Sequence, residues 1–192
     1  YYFKGHKVFT APVGIGAEGK LPPSGTYTIV KKKKDPFWYP PPSIREEEPD
    51  LPKVVPPGPD NPMGKYALYL SRGLFAIHGT NKIFSIGSRS THGCIRLYPE
   101  DIKTLFYTVP LHTPVWITYQ PYKLAIEKGK IYLQCYPDIE HRIKDPLVYI
   151  IKRLEEITKE TGKDYRVDLL KIEGCVKKPD GLGHQIGEIV ED

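Results

Sequence analysis

Cysteine, methionine and tryptophan are scarce in this chain of 192 residues, which holds three, one and two of them. With no Cys-x-x-Cys spacing, and a structural zinc site needing four ligands, the cysteines alone do not make a metal centre. No apolar run approaches the roughly 20 residues of a membrane-spanning helix. A dense basic stripe interleaved with aromatics is also missing, so a net charge of +5 and a pI near 8.9 do not make a nucleic-acid footprint. The chain opens on Tyr1 rather than Met, without a charged leader and apolar core, and reads as a processed or trimmed piece.

What the chain does have is 20 prolines and 14 tyrosines, a balance favouring β structure and stiff loops over a helical bundle. A 40% hydrophobic content supports a core for one ordinary domain, or one with a small appendage.

Chemistry concentrates in Ile77-His78-Gly79-Thr80 and in Ser90-Thr91-His92-Gly93-Cys94-Ile95-Arg96-Leu97, which together hold two of six histidines and one cysteine. A thiol is mostly protonated at neutral pH, so a cysteine nucleophile needs an imidazole or a helix N-terminus to lower its pKa. Two bases compete. His92 lies two residues from Cys94, on the same side of an extended chain. His78 comes from an earlier segment, the usual arrangement of thiol enzymes. A zinc site, or core histidines beside an inert thiol, fits the same residues.

The segment from His78 through Ser90-Thr91-His92-Gly93-Cys94-Ile95-Arg96 resembles the signature of the L,D-transpeptidase catalytic domain. Ala11 to Gly16 and Pro56-Pro57-Gly58-Pro59-Asp60-Asn61-Pro62-Met63-Gly64 are similar to the periplasmic branch of that family. The resemblance covers about residues 1 to 120. It implies a mainly β (α+β) fold, a sandwich-like catalytic domain with one packed helix. It implies Cys94 as nucleophile and His78 as proton acceptor. His92 and Gly93 then shape the turn, and the N–H groups of Gly93 and Cys94 form an oxyanion hole. Gly79 orients His78 through its carbonyl, and Arg89, Ser90 and Arg96 are candidates to hold a substrate carboxylate, each equally readable as a structural contact. Position 96 is Arg where some members have Asn, so no role is carried over from those.

Along the chain, Tyr1 to Thr10 predicts a hairpin turning at Lys4-Gly5-His6-Lys7. Gly14-Ile15-Gly16-Ala17-Glu18-Gly19 matches GxGxxG, but Pro22 and Pro23 follow where a nucleotide-binding loop needs a helix. Residues 31–64 are proline-rich and predict a long irregular insertion, read as a lid carrying Trp38 and Tyr39 over Cys94, with Lys31 to Lys34 as a solvated strand end. Residues 65–77 predict a hairpin ending at His78. Pro99-Glu100-Asp101 predicts a helix start, and Thr113 to Tyr119 a strand that ends the domain. Residues 121–192 predict a small α/β appendage: a strand at Lys130–Tyr136, a helix near 145–161 from Asp145-Pro146 to Gly162, and a short strand at Val167–Ile172. The remaining histidines, His6, His112, His141 and His184, read as turn or surface residues.

The family implies a periplasmic, exported protein with no cofactor and no metal. It would act on peptidoglycan stem peptides, passing a Cys94 thioester to a lysine of an outer-membrane lipoprotein, to another stem peptide, or to water as an L,D-carboxypeptidase. A peptidoglycan-binding module without turnover and a zinc peptidase are the rival classes. In an oxidising envelope Cys135 and Cys175 form a candidate disulfide.

Overall fold

A computed structural model describes residues 1–190, and only the backbone of 160 and 161. It separates into two units, Tyr1–Thr118 and a second starting at Tyr119.

In the first unit, β1 (Tyr2–Lys4) and β2 (Lys7–Phe9) form the hairpin expected around Gly5. There follow β3 (Ile15–Gly16), β4 (Gly25–Lys34), α1 (Pro42–Glu47), β5 (Tyr66–Leu70) and β6 (Ala76–His78). A 3₁₀ turn at Ile83–Ser85 leads to β7 (Arg89–Thr91), β8 (Ile95–Arg96), α2 (Pro99–Thr108) and β9 (Pro114–Ile117). Five strands make one sheet in the order β8-β6-β5-β4-β9, with β8 parallel to β6 and the other pairs antiparallel. β3 pairs with β7, and a bridge between Gly14 and Arg96 ties this ribbon to the sheet. A strand where the GxGxxG pattern would need a helix agrees with setting the nucleotide loop aside.

The middle strand β5 explains the layering. Its side chains alternate faces with period two. Tyr66, Leu68 and Leu70 join Tyr27, Ile29 and Ile102 in a core against α2. Ala67 and Tyr69 face the other way, with Met63, Ala76, Trp38 and Cys94. One face thus holds the helix and the other the candidate site. Pro99 at the start of α2, with Glu100 and Asp101 in its first turn, suits a helix N-terminus that favours negative charge.

The insertion is more ordered than expected. Pro41 and Pro42 start α1 instead of merely stiffening a loop, and Trp38 and Val55 form a backbone bridge. Buried Asn61 gathers it: the amide donates to the carbonyls of Pro36 (2.8 Å), Pro56 (3.1 Å) and Val55 (3.2 Å), and the side-chain oxygen accepts from Met63 N–H at 2.9 Å. The lysine run is likewise not all solvated. Lys32 Nζ donates to the Val109 carbonyl at 2.8 Å and lies 4.9 Å from the Phe106 ring centre.

The second unit contains β10 (Tyr122–Glu127), β11 (Lys130–Cys135), α3 (Pro146–Thr161), β12 (Asp164–Val167), α4 (Leu169–Lys177) and β13 (Gly183–Val190), with sheet order β10-β11-β13-β12. Asp145 accepts from Val148 N–H at 3.0 Å to cap α3, and Gly162 ends it with φ of 65°. The strand expected at Val167–Ile172 is replaced by the end of β12 and the start of α4. Asp168 accepts from the N–H groups of Leu170 and Lys171, and Ile172 and Cys175 bury one helical face. Cys135 and Cys175 sit in the same core as free thiols, so the candidate disulfide is not formed.

Candidate active site

Strand β6 delivers His78 into the interior, where it is 5% exposed. Its Nδ1 lies 2.5 Å from the Gly79 carbonyl oxygen. A carbonyl can only accept, so Nδ1 carries the proton and Nε2 keeps its lone pair. Burial lowers the imidazole pKa to about 4; the backbone of Gly79 and, less, of Met63 opposes this, and the Arg96 charge adds to it. His78 is therefore neutral at pH 7.

Cys94 enters from the adjacent parallel strand. Ile77 is level with Ile95 and His78 with Arg96, so the thiol stands just before β8. It is half-buried, packs like Trp38 and Tyr69 against the Met63, Ala67 and Ala76 cluster, and donates weakly to the Leu74 carbonyl at 3.8 Å. Burial raises its pKa above the ordinary value of 9.0, and the Ala76 N–H and the Arg96 charge only partly offset that. The resting group is a thiol, not the activated thiolate expected from the sequence. Dehydration of the anion outweighs the nearby positive charge. Arg96 acts on both partners, and its buried Nε has no hydrogen-bond partner.

The turn between the strands is built by Thr91. Its hydroxyl donates to the Cys94 carbonyl at 2.6 Å and accepts from Gly93 N–H at 3.1 Å. The Gly93 N–H is thus occupied, which removes half of the expected oxyanion hole. Gly93 has φ of 111°, and a Cβ there would stand 2.5 Å from the Phe75 ring, so only glycine fits. His92 makes its side-chain contacts away from Cys94. Its Nε2 lies 2.8 Å from Lys20 Nζ and 2.9 Å from Glu47 Oε2. Arg89 reaches the Gly16 carbonyl at 3.3 Å, and exposed Ser90 accepts from Ser88 at 3.2 Å. Gly79 contributes its carbonyl to His78 and its N–H to the Tyr66 carbonyl.

Sequence reasoning missed Thr91, Tyr69, Lys20 and Glu47. Tyr69 was detectable as the residue of β5 that must face Ala67's side. The Lys20 and Glu47 contacts span 72 and 45 residues and leave no local signal.

A half-buried cysteine and a buried neutral histidine thus stand at neighbouring strands of a mainly β domain. The chain belongs to the L,D-transpeptidase catalytic domain family of YkuD type, whose model matches residues 1–117. It is 40% identical over 193 aligned positions to the Escherichia coli protein named Probable L,D-transpeptidase YbiS, covering 95% of this chain and 62% of that one. It is 47% identical over 133 positions to the Salmonella typhimurium protein named Probable L,D-transpeptidase ErfK/SrfK, covering 66% and 43%. The chain thus spans less than two thirds of the length of these relatives. Among solved structures, an L,D-transpeptidase from Mycobacterium smegmatis aligns over 60% of this chain and 51% of its own, with 21% identity and a TM-score of 0.46. The family assignment rests on the sequence matches.

Proposed function

We propose that this chain is a peptidoglycan L,D-transpeptidase of the bacterial cell envelope, acting in the periplasm through a Cys94 thioester. The observation that carries the reading is the neutral, oriented imidazole: His78 holds its proton on Nδ1 toward Gly79 and offers Nε2 as a base on the strand beside Cys94.

Because both groups rest uncharged, attack and proton transfer are coupled. Cys94 Sγ forms a bond to the carbonyl carbon of the third stem-peptide residue, a diaminopimelate, while its proton passes to His78 Nε2. The tetrahedral oxyanion is met by the Cys94 N–H, since Gly93 donates to Thr91. The carbon–nitrogen bond to D-alanine then breaks, and the His78 proton leaves with the amine. In the second half an acceptor amine attacks the thioester, gives its proton to His78, and expels Cys94, which is reprotonated. The acceptor is a lysine of an outer-membrane lipoprotein or the amine of another stem peptide.

Arg96 is the residue to hold a substrate carboxylate, supported by its orphaned Nε and by the planar fork that suits carboxylates. Arg89 and Ser90 support the turn from the ribbon side. Residues 31–64 serve as a fixed wall to the groove, supported by Trp38 packing in the cluster that includes Cys94.

The test is intact mass after mixing with a disaccharide-tetrapeptide ending in D-alanine. An adduct of substrate minus D-alanine, absent in Cys94→Ala, is the expected result. No adduct and no released D-alanine, with Cys94 still open to alkylation, would point to a binding module.

A further inference from the structure

Glu47 lies at the end of α1, in the insertion, 45 residues from His92. One carboxylate oxygen meets His92 Nε2 at 2.9 Å, and the other pairs with Lys20 Nζ. Lys20 closes the triangle at 2.8 Å from the same His92 nitrogen. Lysine only donates and carboxylate only accepts, whereas Nε2 has a single position for a proton. If Nε2 carries that proton it donates to Glu47; if not, it accepts from Lys20. Glu47 keeps the Lys20 contact in both arrangements. Lys20 and His92 together lower the Glu47 pKa, with the Lys20 hydrogen bond the largest cause.

The triangle touches the catalytic turn at a point that tolerates no slack. The Lys20 carbonyl stands 3.1 Å from where a Gly93 Cβ would be, and Ala17 N–H donates to the Thr91 carbonyl at 2.8 Å. The segment from Ala17 to Lys20 thus braces the main chain on either side of His92, while Glu47 holds the Lys20 and His92 side chains from the insertion. We propose that Glu47 is a positioning residue that ties the insertion to the His92-Gly93-Cys94 turn and so fixes the wall formed by residues 31–64 relative to Cys94. The inference rests on the acyl-transfer reading only for its kinetic consequence; the tie itself has its own readouts.

Three measurements on Glu47→Ala and on the reversed pair Lys20→Glu/Glu47→Lys test it. Glu47 is about half exposed, so truncation leaves no buried group stranded. In Glu47→Ala, amide exchange across 38–55 and at His92 to Cys94, and iodoacetamide alkylation of Cys94, are expected to rise about threefold to fivefold, the upper part of the range for a surface ion pair. Donor acylation should lose kcat more than KM, about tenfold, because misplacement affects the transition state more than binding. The reversed pair should recover at least half of each change. Unchanged exchange at the turn, unchanged alkylation, or no recovery in the reversed pair overturns the proposal. If the wild type forms no acyl adduct while exchange and alkylation respond as stated, the transpeptidase reading falls and the positioning role stands.

Discussion

Thr91 holds Cys94 by its own main chain: the buried hydroxyl donates to the Cys94 carbonyl at 2.6 Å and accepts from the N–H of the intervening Gly93. One side chain therefore closes the turn on which Cys94 stands. Thr91→Val keeps the shape but strands a carbonyl and an N–H. A loss of about 1–3 kcal/mol in urea denaturation is expected, with slower acylation. Thr91→Ser, which keeps the hydroxyl, should retain most of both.

The His78 pKa of about 4 makes stability pH-dependent with a definite sign. An unfolded histidine binds its proton near pH 6.5, so between 6.5 and 4 the unfolded chain holds more protons than the folded one. The contribution is fully present above 6.5 and is lost as pH falls toward 4. Melting temperature measured across that window should fall more steeply in the wild type than in His78→Gln, whose side chain does not titrate.

Arg96 lowers the pKa of both His78 and Cys94. Replacing it with Gln should raise both: the His78 ring titration followed by NMR moves upward, and so does the pH midpoint of Cys94 alkylation. A shift at only one residue would mean that Arg96 does not sit between them electrostatically.

Asn61 is fully buried and makes four hydrogen bonds to the backbone of the insertion. Asn61→Ala leaves those groups without their partner and is expected to cost about 1–3 kcal/mol, read by urea denaturation. Limited proteolysis is then expected to cut between Pro36 and Met63 faster than in the wild type.

In the second unit, burial first and then the Cys175 and Asp180 neighbours push the Cys135 thiol up to about 12, and burial raises that of Cys175 as well. Neither should react with iodoacetamide at pH 8 in the native protein. Under denaturing, non-reducing conditions three thiols should titrate; a count of one would mean that the two had paired.

What the sequence determined by itself is whatever depends on neighbours in the chain. Asp145-Pro146 and Gly162 bound α3 because capping is local, and the hairpin at Gly5 follows from the same kind of turn chemistry. Residue types and spacing singled out His78, His92, Gly93 and Cys94, but left the choice between the two histidines open. Local signals failed where the pattern was weak. Gly183, His184 and Gln185 begin β13 without alternation, yet that strand lies between β11 and β12. Only the tertiary structure decided the protonation of the site. Burial beside the Met63, Ala67 and Ala76 cluster keeps Cys94 a thiol, although sequence proximity to histidine suggested a thiolate. Likewise His92, two residues from Cys94, turns to Lys20 and Glu47, while His78 on the neighbouring strand is buried and neutral. Dehydration and long-range pairing are properties of assembled surfaces, and no window of sequence contains them.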